Sequence, residues 1–370
     1  MSDAAPLTAI GLMSGTSMDG IDAAILRSDG AGIVAPLANL TIAYTPDFRA
    51  ELQSVLGGKG PVDEVSETLT RRHADAVVSI LAKSALAATD IDVIGFHGHT
   101  ILHRPEQGRT WQAGDGALLA SLTGIDVVAD FRTADVAAGG EGAPFAPIFH
   151  AAVAPAAGQA RPVCLLNIGG VANLTWVGAD ASVAEPTVFD HLMAFDTGPG
   201  NALIDDWVAA HCGQPFDKDG AIAAGGTVDT ACLDKLMAHD YFSRPPPKSL
   251  DRDDFPTAAL AGLSPADGAA TLTAFTVAAI DRAREHLPAP PRRWVVTGGG
   301  RHNSFLMTAL AAQLAAPVVS TEQVGLDGDA MEAQAFAYMA IRSLRGMPLS
   351  GPSTTGVPTP LSGGTLFRAS

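Results

Sequence analysis

The segment Ile10-Gly-Leu-Met-Ser-Gly-Thr-Ser-Met-Asp-Gly-Ile-Asp22 is the most informative part of this chain. An apolar run, Ile10 to Met13, enters a turn of small and hydroxylated residues, and a second apolar run, Ile21 to Leu26, leaves it. This pattern predicts two strands joined by a glycine-containing turn. Gly15 and Gly20 can adopt positive φ and carry no Cβ, so the backbone N–H groups of the turn can approach an anion closely.

Phosphate oxygens are the ligands that such a turn suits best. The hydroxyls of Ser14, Thr16 and Ser17 add hydrogen-bond donors. The carboxylates of Asp19 and Asp22 could hold a hydrated Mg²⁺. A Walker A loop is excluded because no Gly-Lys-Ser or Gly-Lys-Thr occurs here. A glycine-rich hairpin without any ligand explains the composition of the turn equally well.

Length and composition narrow the class of protein. The chain has 370 residues, 47% of them hydrophobic, so it is long enough for two globular domains. With 23 basic against 39 acidic residues, the formal net charge of −16 disfavours nucleic acid and anionic membranes as partners. Three widely spaced cysteines predict neither a disulfide framework nor a zinc site. The sequence has no signal-peptide pattern and no long apolar run, so we expect a cytoplasmic protein.

The order of the predicted elements indicates a duplicated architecture. The first part of the chain reads as a few strands followed by α/β alternation, which favours a mostly parallel sheet covered by helices. The glycine-rich segment 139–144 marks a candidate domain boundary. Beyond it, an apolar strand (163–168) enters a second glycine turn and another strand (171–177) leaves it. We therefore expect two domains of related α/β topology.

Three glycine turns are predicted at the ends of apolar strands. They are 14–20, Gly169-Gly170 and Gly298-Gly299-Gly300. Because ligands of α/β sheets gather at the carboxyl ends of strands, the three turns together favour a nucleotide held in a cleft between two domains. The first two turns would hold phosphates, and the third would let an adenosine lie against bare backbone.

Two carboxylates are candidates for acid–base chemistry. Asp196 ends a predicted strand and precedes Gly198-Pro-Gly200, where the N-terminus of the next helix would help to keep its side chain ionised. Capping of that helix is the alternative role for Asp196. Glu332 begins a predicted helix, and on sequence alone a favourable first-turn glutamate is the better interpretation.

Several histidines and carboxylates of the first half could be combined on paper into a metal site. They are His97, His99, His103, His150, Asp115 and Asp130. Neither a His-Glu-x-x-His motif nor a tight carboxylate set accompanies them, so a metal hydrolase is the weaker hypothesis. We expect these groups to hydrogen-bond a polar substrate, with Arg132 pairing with an acidic part of it. A surface ion pair is the other role open to Arg132.

Taken in order along the chain, the longer motifs resemble those of the 1,6-anhydro-N-acetylmuramic acid kinase family. They are Gly15-Thr-Ser-Met-Asp-Gly-Ile-Asp22, His97-Gly-x-Thr100, Asp126-Val-Val-Ala-Asp-Phe-Arg132, Asp135-Val-Ala-Ala-Gly-Gly140, Gly142-Ala-Pro144, Asn167-Ile-Gly-Gly170, Phe195-Asp-x-Gly-Pro-Gly-Asn201 and Met331-Glu332. The resemblance spans almost the whole chain. It implies the two-domain α/β fold of the sugar kinase/Hsp70/actin group, a duplicated ribonuclease H-like fold with a central cleft.

The resemblance also implies an activity. Such an enzyme uses ATP and Mg²⁺ to open the 1,6-anhydro ring of the amino sugar and to phosphorylate O6, giving N-acetylmuramate 6-phosphate in peptidoglycan recycling. An ordinary sugar hydroxyl kinase of the same fold and a non-enzymatic ATP-dependent sensor are the alternatives, and a homodimer is common in the family. We expect an N-terminal domain of residues 1–135 plus about 346–370 and a C-terminal domain of residues 136–345.

Site roles follow from the same resemblance. The implied catalytic residues are Asp196, as the base, and Glu332. The implied nucleotide-binding residues are Ser14, Gly15, Thr16, Ser17, Met18, Asp19, Gly20, Ile21, Gly169, Gly170, Gly298, Gly299 and Gly300. The implied substrate contacts are His97, Gln112, Arg132 and Asn173, with Asp19 and Asp22 holding Mg²⁺ through water. Three departures from the family pattern, His99 for Gln, Asp115-Gly116 for Asn-Pro and Glu141 for Gln, fall near the expected sugar side.

Overall fold

A computed structural model of the chain describes residues 5–156, 160–250, 254–255 and 257–369. The strands are β1 (Leu7–Ser14), β2 (Gly20–Ser28), β3 (Val34–Ala43), β4 (Val93–Arg104), β5 (Arg109–Ala113), β6 (Val127–Ala129), β7 (Val163–Ile168), β8 (Val171–Val177), β9 (Leu192–Pro199), β10 (Trp294–Thr297), β11 (Val318–Ser320) and β12 (Thr365–Phe367). The helices are α1 (Pro46–Ser54), α2 (Val62–Ser84), α3 (Gly116–Thr123), α4 (Thr133–Ala137), α5 (Ala146–Ala156), α6 (Ala202–Cys212), α7 (Thr230–Met237), α8 (Pro265–Ala283), α9 (Ser304–Gln313) and α10 (Met331–Leu344).

The chain divides into two compact units. The first unit contains residues 1–156, 180–190 and 329–370, and the second contains residues 157–179 and 191–328. The division predicted from the sequence differs, because it assigned 136–345 as a whole to the C-terminal domain. Helices α5 and α10 lie within that range but belong to the first unit, since α10 packs on β1, β2 and β4 and α5 packs on α10. Residues 1–4 and 370, at the ends of the predicted N-terminal domain, lie outside the described residues.

The first unit is built on a mixed sheet with the strand order β12-β6-β4-β1-β2-β3, and β5 pairs with the distal part of β4. Strands β1, β2 and β3 form an antiparallel meander. Strand β4 runs parallel to β1, and β6 runs parallel to β4. The predicted hairpin around residues 14–20 is thus confirmed, and its strands β1 and β2 lie inside this sheet.

The second unit repeats the same plan in a five-stranded sheet with the order β11-β10-β7-β8-β9. Strands β7, β8 and β9 are antiparallel, β10 runs parallel to β7, and β11 runs parallel to β10. Each unit therefore begins with a three-stranded antiparallel meander. Two further strands, parallel to the first strand of the meander, extend the sheet on the other side of that strand. The duplicated α/β architecture expected from the two strand–glycine–strand patterns is confirmed.

Two glycines in the first sheet allow α10 to lie directly on it. A Cβ at Gly11 of β1 would lie 1.8 Å from the carbonyl oxygen of Ala333, and a Cβ at Gly95 of β4 would lie 2.1 Å from that of Phe336. The helix faces these positions with small buried side chains such as those of Ala333 and Ala337. This close packing places the first turn of α10, and with it Glu332, beside the sheet.

Each unit has its own hydrophobic core. The core of the first unit includes Ile10, Leu12, Ile25, Val77, Ile80, Ile94, Phe96 and Val127. The core between the second sheet and helices α8 and α9 includes Leu166, Leu174, Phe195, Val277, Ile280, Val296, Leu306 and Leu310. Within the described ranges, no helix combines the length and the apolar character needed to cross a membrane.

Candidate active site

The turn between β1 and β2 has the exposed small residues that were expected of a phosphate-binding turn. Thr16, Ser17 and Asp19 are exposed, and the turn is closed by a 3.0 Å hydrogen bond from the N–H of Met18 to the carbonyl oxygen of Gly15. Met18 adopts a φ of 53°, a conformation that L residues rarely take. Backbone strain of this kind is concentrated at functional turns. Thr16 and Ser17, which lie between Gly15 and Met18, are open to solvent.

Ser14, which precedes this turn, is held from two sides. Its buried hydroxyl accepts a 2.8 Å hydrogen bond from the hydroxyl of Tyr44 and pairs at 3.0 Å with Nδ1 of His99. Burial lowers the pKa of His99, so its ring is neutral at neutral pH. The sequence analysis expected His99 near the sugar side, and in the structure its imidazole contacts Ser14, the first residue of the turn assigned to phosphates.

The other two departures from the family pattern have these contacts. Asp115 is the N-cap of α3, where its carboxylate accepts hydrogen bonds from the N–H groups of Ala117 and Leu118. Glu141 donates its backbone N–H to the carbonyl oxygen of Thr355. The contacts of Asp115 therefore give that residue a role in helix formation.

Acidic side chains gather beside the turn of the first unit. Asp19 accepts a 2.7 Å hydrogen bond from Ser17 Oγ, and Asp22 accepts one from Thr41 Oγ1. Desolvation raises the pKa of Asp22 above its usual value, and the negative charges of Asp19 and Asp329 add to this effect. Such a group favours a bound proton or cation.

Glu332 belongs to the same acidic neighbourhood. Its side chain is reached by solvent in the first turn of α10, yet the protein packed around it raises its pKa by desolvation. The charge of Asp22 raises this pKa further, and the guanidinium of Arg132 lowers it. A glutamate with a raised pKa can take up and release a proton, beyond its favourable interaction with the helix N-terminus.

Arg132 and His97 form a coupled pair. Nε of Arg132 donates to Nε2 of His97 at 3.0 Å, and Nδ1 of His97 lies 2.9 Å from the carbonyl oxygen of Gly98. Because a guanidinium only donates and a carbonyl only accepts, His97 carries its proton on Nδ1. Burial and the nearby Arg132 charge hold the pKa of His97 well below its usual value, so the ring is neutral. His97 therefore orients Arg132, whose Nη1 also donates to the carbonyl oxygen of Gly142.

Gln112 lies on β5, next to the end of β4. Its Nε2 donates to Thr100 Oγ1 at 3.1 Å and to Thr110 Oγ1 at 2.9 Å, and Thr110 Oγ1 also pairs with Nδ1 of His103. These bonds fix the orientation of the amide and leave its carbonyl oxygen as the atom that can accept from a ligand.

The histidines do not form the metal site considered from the sequence. His97, His99 and His103 each use Nδ1 in a contact with a neighbouring residue. Among residues 5–156, 160–250, 254–255 and 257–369, no three His, Cys, Asp or Glu side chains are placed to hold a metal ion together. The metal hydrolase hypothesis therefore has no support in the arrangement of these side chains.

In the second unit, three polar residues lie side by side across the meander. Asn167 of β7 is paired with Asn173 of β8, and Asn173 is paired with Asp196 of β9. Directly opposed residues of antiparallel strands project to the same face, so their side chains form a row. All three side chains are only partly buried. The row brings the predicted base Asp196 beside the predicted substrate contact Asn173.

Asp196 is positioned by the segment 241–250 rather than by a helix start. Its Oδ2 accepts a 2.9 Å hydrogen bond from the N–H of Leu250, its own N–H donates to the carbonyl oxygen of Lys248, and its carbonyl oxygen accepts from Tyr241 Oη. The N-cap of α6 is Asn201. Burial raises the pKa of Asp196 from 3.8 to about 7, partly offset by the Leu250 hydrogen bond. A carboxylate with this pKa can take up and release a proton near neutral pH.

The glycine turn between β7 and β8 is partly closed by its own chain. The carbonyl oxygen of Gly169 accepts from the N–H of Asn201, and that of Gly170 accepts from the N–H of Gly200 and Ala202. A Cβ on Gly200 would lie 2.2 Å from the Gly169 carbonyl oxygen. The turn is therefore rigid, and only its outer surface is open to a ligand.

The three glycines of the turn after β10 differ in the space around them: two are packed against neighbouring residues and one is open to solvent. Cβ atoms at Gly298 and Gly300 would lie 2.3 Å from Asn167 Oδ1 and 2.5 Å from Ile168 Cγ2, respectively. Gly299 is exposed, and the nearest atom to a Cβ there, Asn201 Nδ2, is 3.8 Å away. Of the three glycines assigned to the adenosine, Gly299 alone leaves free space outside its backbone.

The sequence analysis gave no individual role to Asn167, Tyr44 or the segment 241–250. Asn167 could have been found, because it interrupts an otherwise apolar strand directly before the Gly169-Gly170 turn. Tyr44 and Tyr241 reach the site only through contacts between residues distant in sequence, and nothing in the local pattern marks them.

The strand order repeated in both units shows a duplicated α/β fold, which agrees with the sugar kinase/Hsp70/actin group that the sequence resemblance implied. The sequence matches the family model described as anhydro-N-acetylmuramic acid kinase over residues 7–369. A relative of that name from Paramagnetospirillum magneticum is 52% identical, with 97% of this chain and 99% of the relative covered. One from Acidiphilium cryptum is 53% identical, with 97% and 98% covered. The chain belongs to the anhydro-N-acetylmuramic acid kinase family and is thus a phosphotransferase.

One solved structure is distantly similar to this chain. Component A of (R)-2-hydroxyglutaryl-CoA dehydratase from Acidaminococcus fermentans superimposes with a TM-score of 0.47 at 14% identity, covering 90% of this chain and 99% of that one.

Proposed function

We propose that this protein uses ATP and water to convert 1,6-anhydro-N-acetylmuramic acid to N-acetylmuramate 6-phosphate. Water attacks C1, the C1–O6 bond breaks, and O6 takes the γ-phosphoryl group as ADP leaves. The proton of the attacking water goes to a carboxylate and then to solvent, so one ATP and one water are consumed for each sugar.

The observation that carries the proposal is the Asp196 carboxylate. It follows the apolar part of β9, its Oδ2 is fixed by the N–H of Leu250, and its pKa of about 7 suits a base at neutral pH. Inverting glycoside hydrolysis needs such a base to activate water against an oxocarbenium-like centre. Asn173, the paired neighbour of Asp196 in the sheet, supplies an amide that can orient the sugar or the water.

The phosphate groups of ATP are assigned to the turn between β1 and β2. Its exposed hydroxyls and backbone N–H groups provide donors for the charge that develops on the transferred group. The hydroxyl of Ser14, which is positioned by Tyr44 and His99, is the first of these donors along the chain. Asp19 and Asp22 would hold Mg²⁺. Desolvation is the main cause of the raised pKa of Asp22, and the repulsion by Asp19 that adds to it is what a divalent cation would relieve. Bound Mg²⁺ would neutralise charge on the phosphates.

The sugar is assigned to polar groups of the first unit. Arg132, oriented by neutral His97, and the amide of Gln112 can hydrogen-bond its oxygens. Glu332, whose raised pKa allows it to carry a proton, can serve as an acid or a hydrogen-bond donor towards a sugar oxygen.

The proposal is tested by mass analysis of the product formed from ATP, Mg²⁺ and the anhydro sugar. The expected product is heavier than the sugar by one water and one phosphoryl group, with one ADP formed for each product. An ordinary hydroxyl kinase would add the phosphoryl group without the water. An ATP-dependent sensor would release ADP, or only bind ATP, without any sugar phosphate.

Two variants separate the assigned roles. Asp196→Asn should keep the dissociation constant for ATP and lose most turnover, whereas Asp234→Asn, an exposed aspartate on α7, should match the wild type. Gly15→Val should weaken nucleotide binding because a branched side chain enters the open turn. Normal turnover by the Asp196 variant would remove that residue from the base role, and an unchanged nucleotide affinity in the Gly15 variant would refute the phosphate assignment.

The cellular setting belongs to the proposal as well. A cytoplasmic location follows from the use of ATP, and sedimentation of the purified protein distinguishes a homodimer, the state suggested by the family resemblance, from a monomer.

A further inference from the structure

The first unit contains a cavity to which no part of a ligand has been assigned above. It has a volume of about 190 Å³ and lies between β5 and α4, with Arg109, Thr110, Trp111 and Thr133 among its lining residues. Pockets that enclose a whole ligand usually measure ~300–1,000 Å³. The cavity therefore fits a substituent of a ligand rather than an entire nucleotide or disaccharide.

The charge around the cavity is unusual for this acidic chain. Arg109 is paired directly with Arg104 across the β4–β5 hairpin. Like charges at opposed positions destabilise a sheet, so this pair does not serve folding. Glu106, in the turn between the two strands, offsets part of the charge. Arg109 is exposed, and its guanidinium has no partner among the described side chains and backbone groups. A local rule broken in this way is typical of a functional site.

An aromatic ring and a hydroxyl complete the lining. Trp111 is 39% exposed, and its ring packs against the backbone of Gly58, where a Cβ would lie 3.2 Å from the ring. Thr110 shares its hydroxyl with Gln112 and His103, so the cavity adjoins the side chains assigned to the sugar. Thr133 directly follows Arg132 in the chain. The cavity is thus linked to Gln112, one of the side chains assigned to the sugar, through the hydroxyl of Thr110.

Arg132 is less suited than Arg109 to hold an acid group of the substrate. Nε of Arg132 donates to His97 and its Nη1 donates to the carbonyl oxygen of Gly142. Its charge also acts on Glu332 and is therefore partly compensated. Arg109 keeps both its charge and its fork of donors for a ligand, the geometry that matches a carboxylate.

We infer that this cavity binds the lactyl group of the muramic acid substrate, with Arg109 holding its carboxylate and Trp111 covering its methyl group. The inference rests on the proposed function and adds the residue that selects an acidic sugar. It assigns to Arg109 the recognition of the acid group that we expected of Arg132 from the sequence.

Calorimetric titration tests the assignment with two sugars, 1,6-anhydro-N-acetylmuramic acid and 1,6-anhydro-N-acetylglucosamine, which has the same ring without the lactyl group. Arg109→Met should raise the Kd for the acidic sugar roughly 10- to 100-fold, as expected for a lost charge-assisted hydrogen bond. It should leave the Kd for the lactyl-free sugar unchanged. Arg71→Met, which removes an exposed, ion-paired arginine from α2, should change neither value.

The assignment is overturned if Arg109→Met binds the acidic sugar as the wild type does, or loses affinity for both sugars equally. It is also overturned if Arg132→Lys removes the preference for the acidic sugar while Arg109→Met retains it. Turnover by the wild type is measured alongside. If the wild type converts the anhydro sugar and the Arg109 variant still prefers the acidic sugar, only the cavity assignment fails. If the wild type does not convert the anhydro sugar, the proposed function itself is wrong.

Discussion

The hydrogen bond from the N–H of Leu250 to Asp196 Oδ2 sets the pH range in which the proposed base works. Its length is 2.9 Å, and it stabilises the ionised carboxylate, so it lowers a pKa that burial has raised to about 7. Leu250→Pro removes this N–H. A hydrogen bond to a charged group contributes about 1.5–3 kcal/mol, and 1.36 kcal/mol corresponds to about one pKa unit. Because Asp196 is partly solvated, we expect the lower end, with the pKa rising to about 8.

The expected loss in kcat/KM follows from the ionised fraction of Asp196. At pH 6 this fraction would fall from about one in ten to about one in a hundred, a loss of ~10-fold in kcat/KM, whereas at pH 9 the two proteins would differ little. The assay is the pH profile of kcat/KM for the anhydro sugar. Leu250→Ala, which keeps the N–H and loses the side chain, is the matched control and should retain the wild-type acid limb.

The reasoning is refuted if Leu250→Pro is folded and its acid limb stays at the wild-type position. Equal shifts in the proline and alanine variants would also refute it, because the side chain and not the N–H would then be responsible. A uniform loss at every pH would assign the segment 241–250 to binding instead of to the ionisation of Asp196.

Three further predictions concern stability. Gly200→Ala should lower the free energy of unfolding by about 1–3 kcal/mol in urea titrations, because its Cβ would lie 2.2 Å from the Gly169 carbonyl oxygen, whereas Gly299→Ala should cost little. Asp196→Asn should raise the Tm more at pH 8 than at pH 4. Because folding raises the pKa of Asp196, the contribution of its protonated carboxyl to wild-type stability is fully present below about pH 3.8 and is lost as the pH rises through about 7. The loss is about 1–3 kcal/mol at this partly solvated position. Asp135→Asn should destabilise the protein by about 1–3 kcal/mol in the same titrations, because that buried carboxylate accepts from two hydroxyls and a backbone N–H; an unchanged midpoint would contradict this.

Local patterns were sufficient to predict the two hairpins, whereas Asp196, which was predicted to end a strand, lies inside β9 (Leu192–Pro199). Apolar runs bounded by glycine specify a strand and its turn within a few residues, so β1–β2 and β7–β8 were found at nearly their observed limits. The partners of Asp196 and Ser14 were not predicted. Leu250 is 54 residues away from Asp196, and His99 is 85 residues away from Ser14, so their contacts depend on tertiary packing.

The assignment of α10 shows the same limit. Its amphipathic pattern predicted a helix correctly, but which sheet it covers depends on Gly11 and Gly95, which leave room for its backbone. Single glycines inside strands indicate a close approach without naming the element that approaches. For this reason the domain boundary at 345 could not be placed from the sequence.

The two meanders show how one fold can supply two kinds of chemistry. In the first unit, five residues (15–19) connect β1 and β2, and the turn leaves small polar groups exposed. In the second, only Gly169 and Gly170 connect β7 and β8, and the chain from Gly200 onward occupies their carbonyl groups. A long open turn can surround an anion, whereas a short closed one mainly fixes the register of its strands. That fixed register is what keeps Asp196 next to Asn173, so the rigid hairpin suits a positioned base and the open hairpin suits a phosphate chain.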